Sequence, residues 1–248
     1  GFTGGEPFIR KDIMDILWYA KKKGFEIIIY TNGSLIDKRM ADGLSLLKPN
    51  KVDITIPAMS KGAFERITQM RDSHKRVFGA IDLLHKREVN LGFKTCVLKE
   101  NESELKDIQD FATSLGALQR LDNMLSPRLD GSREPYRYRG SLKIASQKQT
   151  DCGYRRTPHT ANLFKCGVGV SQAAITPLGE LKMCVMIDYP KYKILCNDHR
   201  TWQVSRSTSH VSRSTPHVAR QEKSLEETWE RLKELVVSIK PDKDYKCD

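Results

Sequence analysis

"FEIIIYTNGSLIDKRMADGLSLLKPNKVDITI", residues 25–56, carries the pattern that decides the fold. Phe25-Glu26-Ile27-Ile28-Ile29-Tyr30 is a short apolar run rich in β-branched side chains. It reads as a buried strand, and Thr31-Asn32-Gly33 turns out of it. A helical pattern follows from about Leu35 to Leu47, then a second strand, Val52-Asp53-Ile54-Thr55-Ile56, is broken by Pro57. The same alternation runs outward in both directions. Upstream, an amphipathic helix covers about Ile9–Lys23 and ends in Lys21-Lys22-Lys23-Gly24, cations then glycine, as a helix C-terminus prefers. Downstream come helical patterns over Ala63–Met70 and Lys75–Lys86, a strand over Leu91–Leu98, a helix over Glu102–Leu115 and a strand near Leu118–Met124. Strands alternating with helices of this length imply βα units and a parallel sheet, open or curled into a barrel. The expectation is an α/β fold whose first 125 residues form five parallel strands. Their ends, Thr3, Thr31, Ile56, Leu98 and Met124, share one rim.

The alternation stops at "LSPRLDGSREPYRYRG", residues 125–140. Beyond about residue 150 the texture changes to short apolar pieces, cysteines and glycines, so residues 1–140 and 150–248 read as separate modules. Val204–His210 repeats almost letter for letter as Val211–His217. Ser, Thr and Arg without apolar anchors do not offset ordering entropy, so residues 197–221 read as a low-complexity insert, its two histidines included.

With 248 residues the chain is long enough to bury a sizeable core. Its longest apolar runs, "FEIIIY" and "ELVVSI", fall far short of the roughly 20 residues a membrane helix needs. The reading is a cytoplasmic protein with no membrane partner. A net charge of +11 permits an anionic partner, but the charges are spread along the chain and aromatic residues make up only 8%. Nucleic acid, a phosphorylated cofactor and an acidic peptide are the candidates, nucleic acid being the one this composition supports least. Five of the six cysteines, Cys152, Cys166, Cys184, Cys196 and Cys247, fall in the last hundred residues, a clustering that points to a metal site.

Ligands of parallel α/β sheets bind beyond the carboxyl ends of the strands. The chain opens on "GFTGGEPF", and if Phe2-Thr3 ends a strand, Gly4-Gly5-Glu6-Pro7 lies on that edge. Two glycines let backbone approach a ligand, and a carboxylate there can take an ammonium group. The same residues also suit an ordinary strand-to-helix turn, with proline at the first helical position and an acidic cap.

"TGGEPFIRKDI" together with "YTNGSLI" resembles the signature of radical S-adenosylmethionine (radical SAM) enzymes, and the spacing continues through "VDITI", "LKENESEL" and "PRLDGSREPYRYR". The resemblance spans about Gly1–Arg139 and implies a partial (β/α) barrel that lacks its first strand, followed by a small, irregular cysteine-containing module. It implies that Gly4, Gly5 and Glu6 bind the amino group of the methionine moiety of SAM, with Thr31 and Asn32 beside the cofactor. Arg128, just after the last strand, is a further candidate for SAM or substrate. That family holds its [4Fe–4S] cluster on a C-x3-C-x2-C loop upstream of "TGGEP", and no such triad occurs in this sequence. The expectation is a fragment that starts at the end of the family's second strand and is inactive by itself; no catalytic residue is assigned.

In the second module, Cys166 is followed after twelve residues by Gly179, and G-x4-C then reaches Cys184. This resembles the SPASM extension, which binds auxiliary [4Fe–4S] clusters in peptide-modifying radical SAM enzymes. By that likeness "AAITPLGELKMCVM" forms a short hairpin turning at Pro177-Leu178-Gly179. Cys152 supplies a further ligand, "SLEETWERLKEL" is the helix leading to the next cysteine group, and Cys247 is the first of that group. Cys196 matches nothing.

Taken together, the resemblance implies an enzyme that generates a 5′-deoxyadenosyl radical to modify a peptide or protein side chain. Its cofactors are SAM and [4Fe–4S] clusters, and a flavodoxin or ferredoxin donates the electron. The rival is a non-catalytic degenerate barrel that binds a peptide or nucleic acid through its positive charge. Among the remaining residues, Cys96, Trp18 and Trp229 read as core, and Lys94 as a solvated or paired lysine.

Overall fold

The computed structural model describes residues 1–122, 125–128, 131–141, 172–185 and 191–193, with residues 230 and 232. The chain divides into two compact units, Gly1–Gly153 and Tyr154–Asp248.

The first unit is built on a four-stranded parallel sheet in sequential order: β1 (Ile28–Thr31), β2 (Lys51–Thr55), β3 (Leu91–Cys96) and β4 (Leu118–Asp122). The crossovers carry α1 (Ile13–Lys22), α2 (Lys38–Leu47), α3 (Lys61–Thr68), α4 (Ser73–His85) and α5 (Leu105–Ser114). Local chemistry sets the helix limits. Asp37 caps α2 by accepting from the Met40 amide at 2.8 Å, and Ser60 caps α3 by accepting from the Ala63 amide. Lys21 and Lys22 close α1 on its carbonyl-rich end.

Period-2 alternation assigns the two faces of the sheet. Ile29, Val52, Ile54, Leu91 and Phe93 point to one face and are buried against Leu17, Leu44, Phe64, Ile81, Leu84 and Ile108 from the helices. Phe111 of α5 stacks on Phe93 with ring centroids 5.7 Å apart. The opposite face carries Tyr30, Lys51, Asp53, Thr55, Lys94, Cys96, Arg120 and Asp122. One face is therefore a dry core and the other is charged.

The expected parallel α/β sheet is present, with three corrections. The strand expected at Thr3 is a single parallel bridge, Phe2 to Ile29, made by Phe2 N to Ile28 O at 2.7 Å and Tyr30 N to Phe2 O at 2.8 Å. Gly4 and Gly5 then leave the ladder before a second bridge forms. Trp18 is 43% exposed rather than core, because α1 turns Ile13 and Leu17 inward and the next residue lies about 100° around the helix. Cys96 is half-buried on the charged face rather than in the helix-packed core. Thr31 ends its strand as expected. The ladder formally stops at Thr55 and Cys96, although Ile56 N still donates to Lys94 O at 3.0 Å and Val97 N to Asp122 O at 2.7 Å. Met124 and Trp229 lie outside the described residues.

In the second unit, β5 (Ala174–Ile175), β6 (Glu180–Lys182) and β7 (Lys191–Lys193) form an antiparallel sheet in that order. Pro177-Leu178-Gly179 is the turn of the β5–β6 hairpin, closed by Thr176 N to Glu180 O at 2.8 Å. Leu181 and Met183 are buried beside it. Cys152, Cys166, Cys196 and Cys247, the insert at 197–221 and nearly all of the helix pattern at 224–235 lie outside the described residues. Among the described residues no helix is long and apolar enough to cross a membrane.

Candidate functional site

Two sequence segments meet at the carboxyl end of β1. Glu6 caps the 3-10 turn Pro7–Ile9, its Oε1 accepting from the Phe8 amide at 3.1 Å. The same oxygen accepts from the Thr31 hydroxyl at 2.7 Å, and Oε2 accepts from the Asn32 amide at 2.7 Å. The turn behind it is closed internally. Thr31 Oγ1 accepts from the Gly33 amide at 2.9 Å, and Asn32 Oδ1 accepts from the Ser34 amide at 2.8 Å. Gly33 sits at φ 74°, and a Cβ there would lie 3.2 Å from the Ile54 side chain, so only glycine makes this turn without strain. Glu6, Thr31 and Asn32, three of the residues expected at the cofactor, are joined in one hydrogen-bonded unit.

A carboxylate has about four acceptor lone pairs. Oε1 takes two donors and Oε2 one, so among the described residues Oε2 keeps one acceptor position open. Gly4 and Gly5 are exposed, and a Cβ built on either would meet nothing within 4 Å. A carboxylate with a spare lone pair beside open glycine backbone suits a small cationic group. The methionine ammonium of SAM is a group of that kind. The thiolate triad that would hold a cluster beside it does not occur in the 248 residues, so no step through that cluster is assigned to them. Among the described residues no group of three or more His, Cys, Asp or Glu is placed to hold a metal ion.

The rest of the rim is tied down by side chains that the sequence did not single out. Asn101 is fully buried; its amide donates to Pro57 O and Cys96 O, both at 2.8 Å, and its Oδ1 accepts from Leu98 N at 2.9 Å. One side chain thus joins the ends of β2 and β3. Glu104 Oε2 accepts from the Met59 and Ser60 amides at 2.7 and 2.9 Å, and Oε1 from the Ser60 hydroxyl at 2.5 Å. Desolvation pushes the Glu104 carboxyl upward, but the hydrogen bonds from Ser60 and Met59 and the Arg66 charge outweigh it and hold it below its ordinary value. The signal in the sequence was "NESEL" after a strand, which reads equally well as helix-start chemistry.

Arg128 stands in the loop after β4, where its guanidinium pairs with Glu134 at 2.5 and 3.0 Å. Lys94 pairs with Asp122 at 3.1 Å, as a paired lysine. Burial raises the Cys96 thiol above its ordinary value, the Asp122 charge adds to this, and Lys94 and Arg139 offset part of it. Cys184, directly after the hairpin, is half-buried.

Residues 1–112 match the Radical SAM superfamily. Among curated proteins, the chain is 25% identical over 116 residues to the AdoMet-dependent heme synthase of Methanosarcina barkeri, covering 47% of this chain and 33% of that protein. It is 29% identical over 186 residues to the GTP 3′,8-cyclase of Rhizobium leguminosarum bv. trifolii, covering 71% and 53%. The chain thus spans about a third to a half of these relatives. Among solved structures, Streptococcus suis SuiB bound to S-adenosylmethionine superposes with TM-score 0.58 at 13% identity, covering 77% of this chain and 50% of that one. At that identity the likeness is one of fold, and the fold is the parallel α/β sheet described above.

Proposed function

We propose that the first unit binds SAM at the carboxyl edge of β1 and that the protein is a radical SAM enzyme acting on a peptide or protein side chain. The observation that carries the reading is the Glu6 bracket: a carboxylate fixed by Thr31 and Asn32, one acceptor position open, beside uncovered Gly4–Gly5 backbone. Within it, Glu6 receives the methionine ammonium and the glycine backbone approaches the methionine moiety. Bound SAM supplies the sulfonium whose reductive cleavage is the chemistry of the superfamily. The residues of this chain bind and orient that group; they supply no electron themselves. The spacing of Cys166, Gly179 and Cys184, with the β5–β6 hairpin between them, supports an auxiliary cluster held by Cys152, Cys166 and Cys184, with Cys247 in a second ligand set. A peptide partner is supported by that spacing and by the net charge of +11.

Gly5→Val tests the cofactor site, because Gly5 is exposed and a Cβ built there meets nothing within 4 Å among the described residues. Calorimetric titration with SAM should show at least a tenfold loss of affinity while the thermal midpoint stays unchanged. Equal SAM affinity in the two proteins removes the Gly4–Glu6 stretch from the site. For the second unit, iron reconstitution of Cys166→Ala should give less bound iron than Cys196→Ala; equal iron contents sink the cluster assignment.

A further inference from the structure

The charged face of the sheet holds one carboxylate that is almost completely withdrawn from water. The Asp53 side chain is 1% exposed, yet it sits in the middle of β2. Such a charge persists only when it is neutralised locally. Lys51 Nζ lies 3.3 Å from its Oδ2, and Arg120 of β4 donates to the same oxygen through Nη2. Gly92 on the intervening strand makes room for this arrangement. A Cβ there would fall 2.8 Å from Lys51 Cδ and 2.9 Å from Asp53 Oδ1. Arg120 is also steadied from the side by the Tyr30 ring, its guanidinium carbon 5.8 Å from the centroid.

Two cations thus share one carboxylate, and the other carboxylate that the described strands place on this face, Asp122, pairs with Lys94. Among the described residues this leaves one positive charge in excess at the Lys51–Arg120 pair. The Arg120 side chain is 37% exposed where the Asp53 side chain is 1%, so the charge that faces outward is the guanidinium. Its neighbours in register are Lys94 and Thr55, each about 4.8 Å further along the row. A guanidinium fixed on one edge by a buried carboxylate and flanked by a lysine suits a planar oxyanion. One unmatched charge suits a monoanion better than a phosphate, which carries about −1.5 to −2 at neutral pH.

We propose that Arg120 anchors a carboxylate of the substrate on the charged face of the sheet, with Asp53 as its positioning residue and Lys94 at its flank. The proposal rests on the radical SAM reading only in taking this face as the side from which substrate approaches. Asp53 acts through Arg120: it sets where the guanidinium lies and does not touch the ligand.

The test uses the full chain and a small probe, N-acetylglutamate amide, titrated calorimetrically against its isostere N-acetylglutamine amide and inorganic phosphate. The glutamate probe should bind saturably and the glutamine probe at least tenfold more weakly. Arg120→Gln should weaken the glutamate probe at least tenfold. Arg120→Lys, which still neutralises Asp53 and keeps the fold, should weaken it several-fold with an unchanged thermal midpoint. Asp53→Asn should weaken the probe and be rescued by no increase in stability from added osmolyte, which separates aiming from folding. Equal binding of the two amides, or unchanged binding in Arg120→Lys and Arg120→Gln, overturns the anchor. A phosphate affinity tenfold above that of the glutamate probe overturns the choice of carboxylate. Gly5→Val should leave probe binding intact, so loss of the SAM site and loss of the anchor are read separately.

Discussion

Glu6 is asked to do two things, and its structural task has a magnitude that follows from its bonds. Its carboxylate accepts from Thr31 Oγ1 at 2.7 Å, from Asn32 N at 2.7 Å and from Phe8 N at 3.1 Å. These bonds join residues 25 and 26 positions apart in sequence, and they secure the N-terminal segment, which otherwise meets β1 through a single bridge. Hydrogen bonds to a charged acceptor contribute about 1.5–3 kcal/mol each when sheltered from water. Glu6 is half-buried, so water recovers part of the loss when the carboxylate is removed. The Phe8 bond is an ordinary cap of about 1 kcal/mol. Counting the Thr31 and Asn32 bonds at the low end and letting water replace the cap, Glu6→Ala should cost about 3 kcal/mol. Glu6→Gln should cost about half of that, because its amide oxygen keeps one acceptor while its NH2 faces donors. At about 2–4 °C per kcal/mol for a chain of this size, the alanine variant should melt about 6–12 °C lower. Urea denaturation followed by tryptophan fluorescence and circular dichroism measures both, and the slope with urea should not change. A cost below about 0.5 kcal/mol for Glu6→Ala would mean that the bracket does not hold the segment. The cofactor assignment would then lose its fixed carboxylate as well, since an unfixed Glu6 has no defined lone pair to offer.

The rim gives two further expectations. Asn101→Ala strands Pro57 O, Cys96 O and Leu98 N without their partner inside the fold; at about 1–3 kcal/mol for each buried unpaired group it should destabilise by at least about 3 kcal/mol, and a loss under about 1 kcal/mol in a urea titration would refute the three-way bridge. Glu104 has a folded-state value held below its ordinary 4.5, so its contribution is present above pH 4.5 and drains away as pH falls through the lower folded value; between pH 7 and 3 the stability of Glu104→Gln should fall less steeply than that of the parent, and parallel curves would refute the assignment.

The scaffold was legible because each crossover carries a strong local signal. "FEIIIY" followed by a turn and a capped amphipathic helix leaves little choice, since burying both the strand and the helix stripe requires a sheet on one side. The strand limits at the amino end were not legible for a physical reason. Two glycines after Phe2 cannot hold a ladder that has only one bridge to propagate from, and no periodicity in three residues reports that. Trp18 was misplaced by one step of a helix: apolar spacing finds the stripe but not its edge, and Leu17 took the inward position.

At the candidate site the division is sharper. Gly4, Gly5, Glu6, Thr31 and Asn32 were found as two short motifs, and the structure adds the reason they belong together, which is that the carboxylate of one motif is the hydrogen-bond partner of the other. The Asp53–Arg120 pair was not found, although its elements were visible. "VDITI" put an acid in a strand, and strand alternation placed it on the face opposite Val52 and Ile54; its partner stands 67 positions away and acquires meaning only when β2, β3 and β4 come into register. Local patterning reports which face a residue takes; only register reports which residue it meets. The two constellations therefore differ in kind. The Glu6 bracket is a loop feature that reads out of short motifs, whereas the Arg120 anchor is a property of three neighbouring strands. A change confined to the loops can abolish the first and leave the second standing, so the proposed cofactor site and the proposed anchor can be altered separately in this fold.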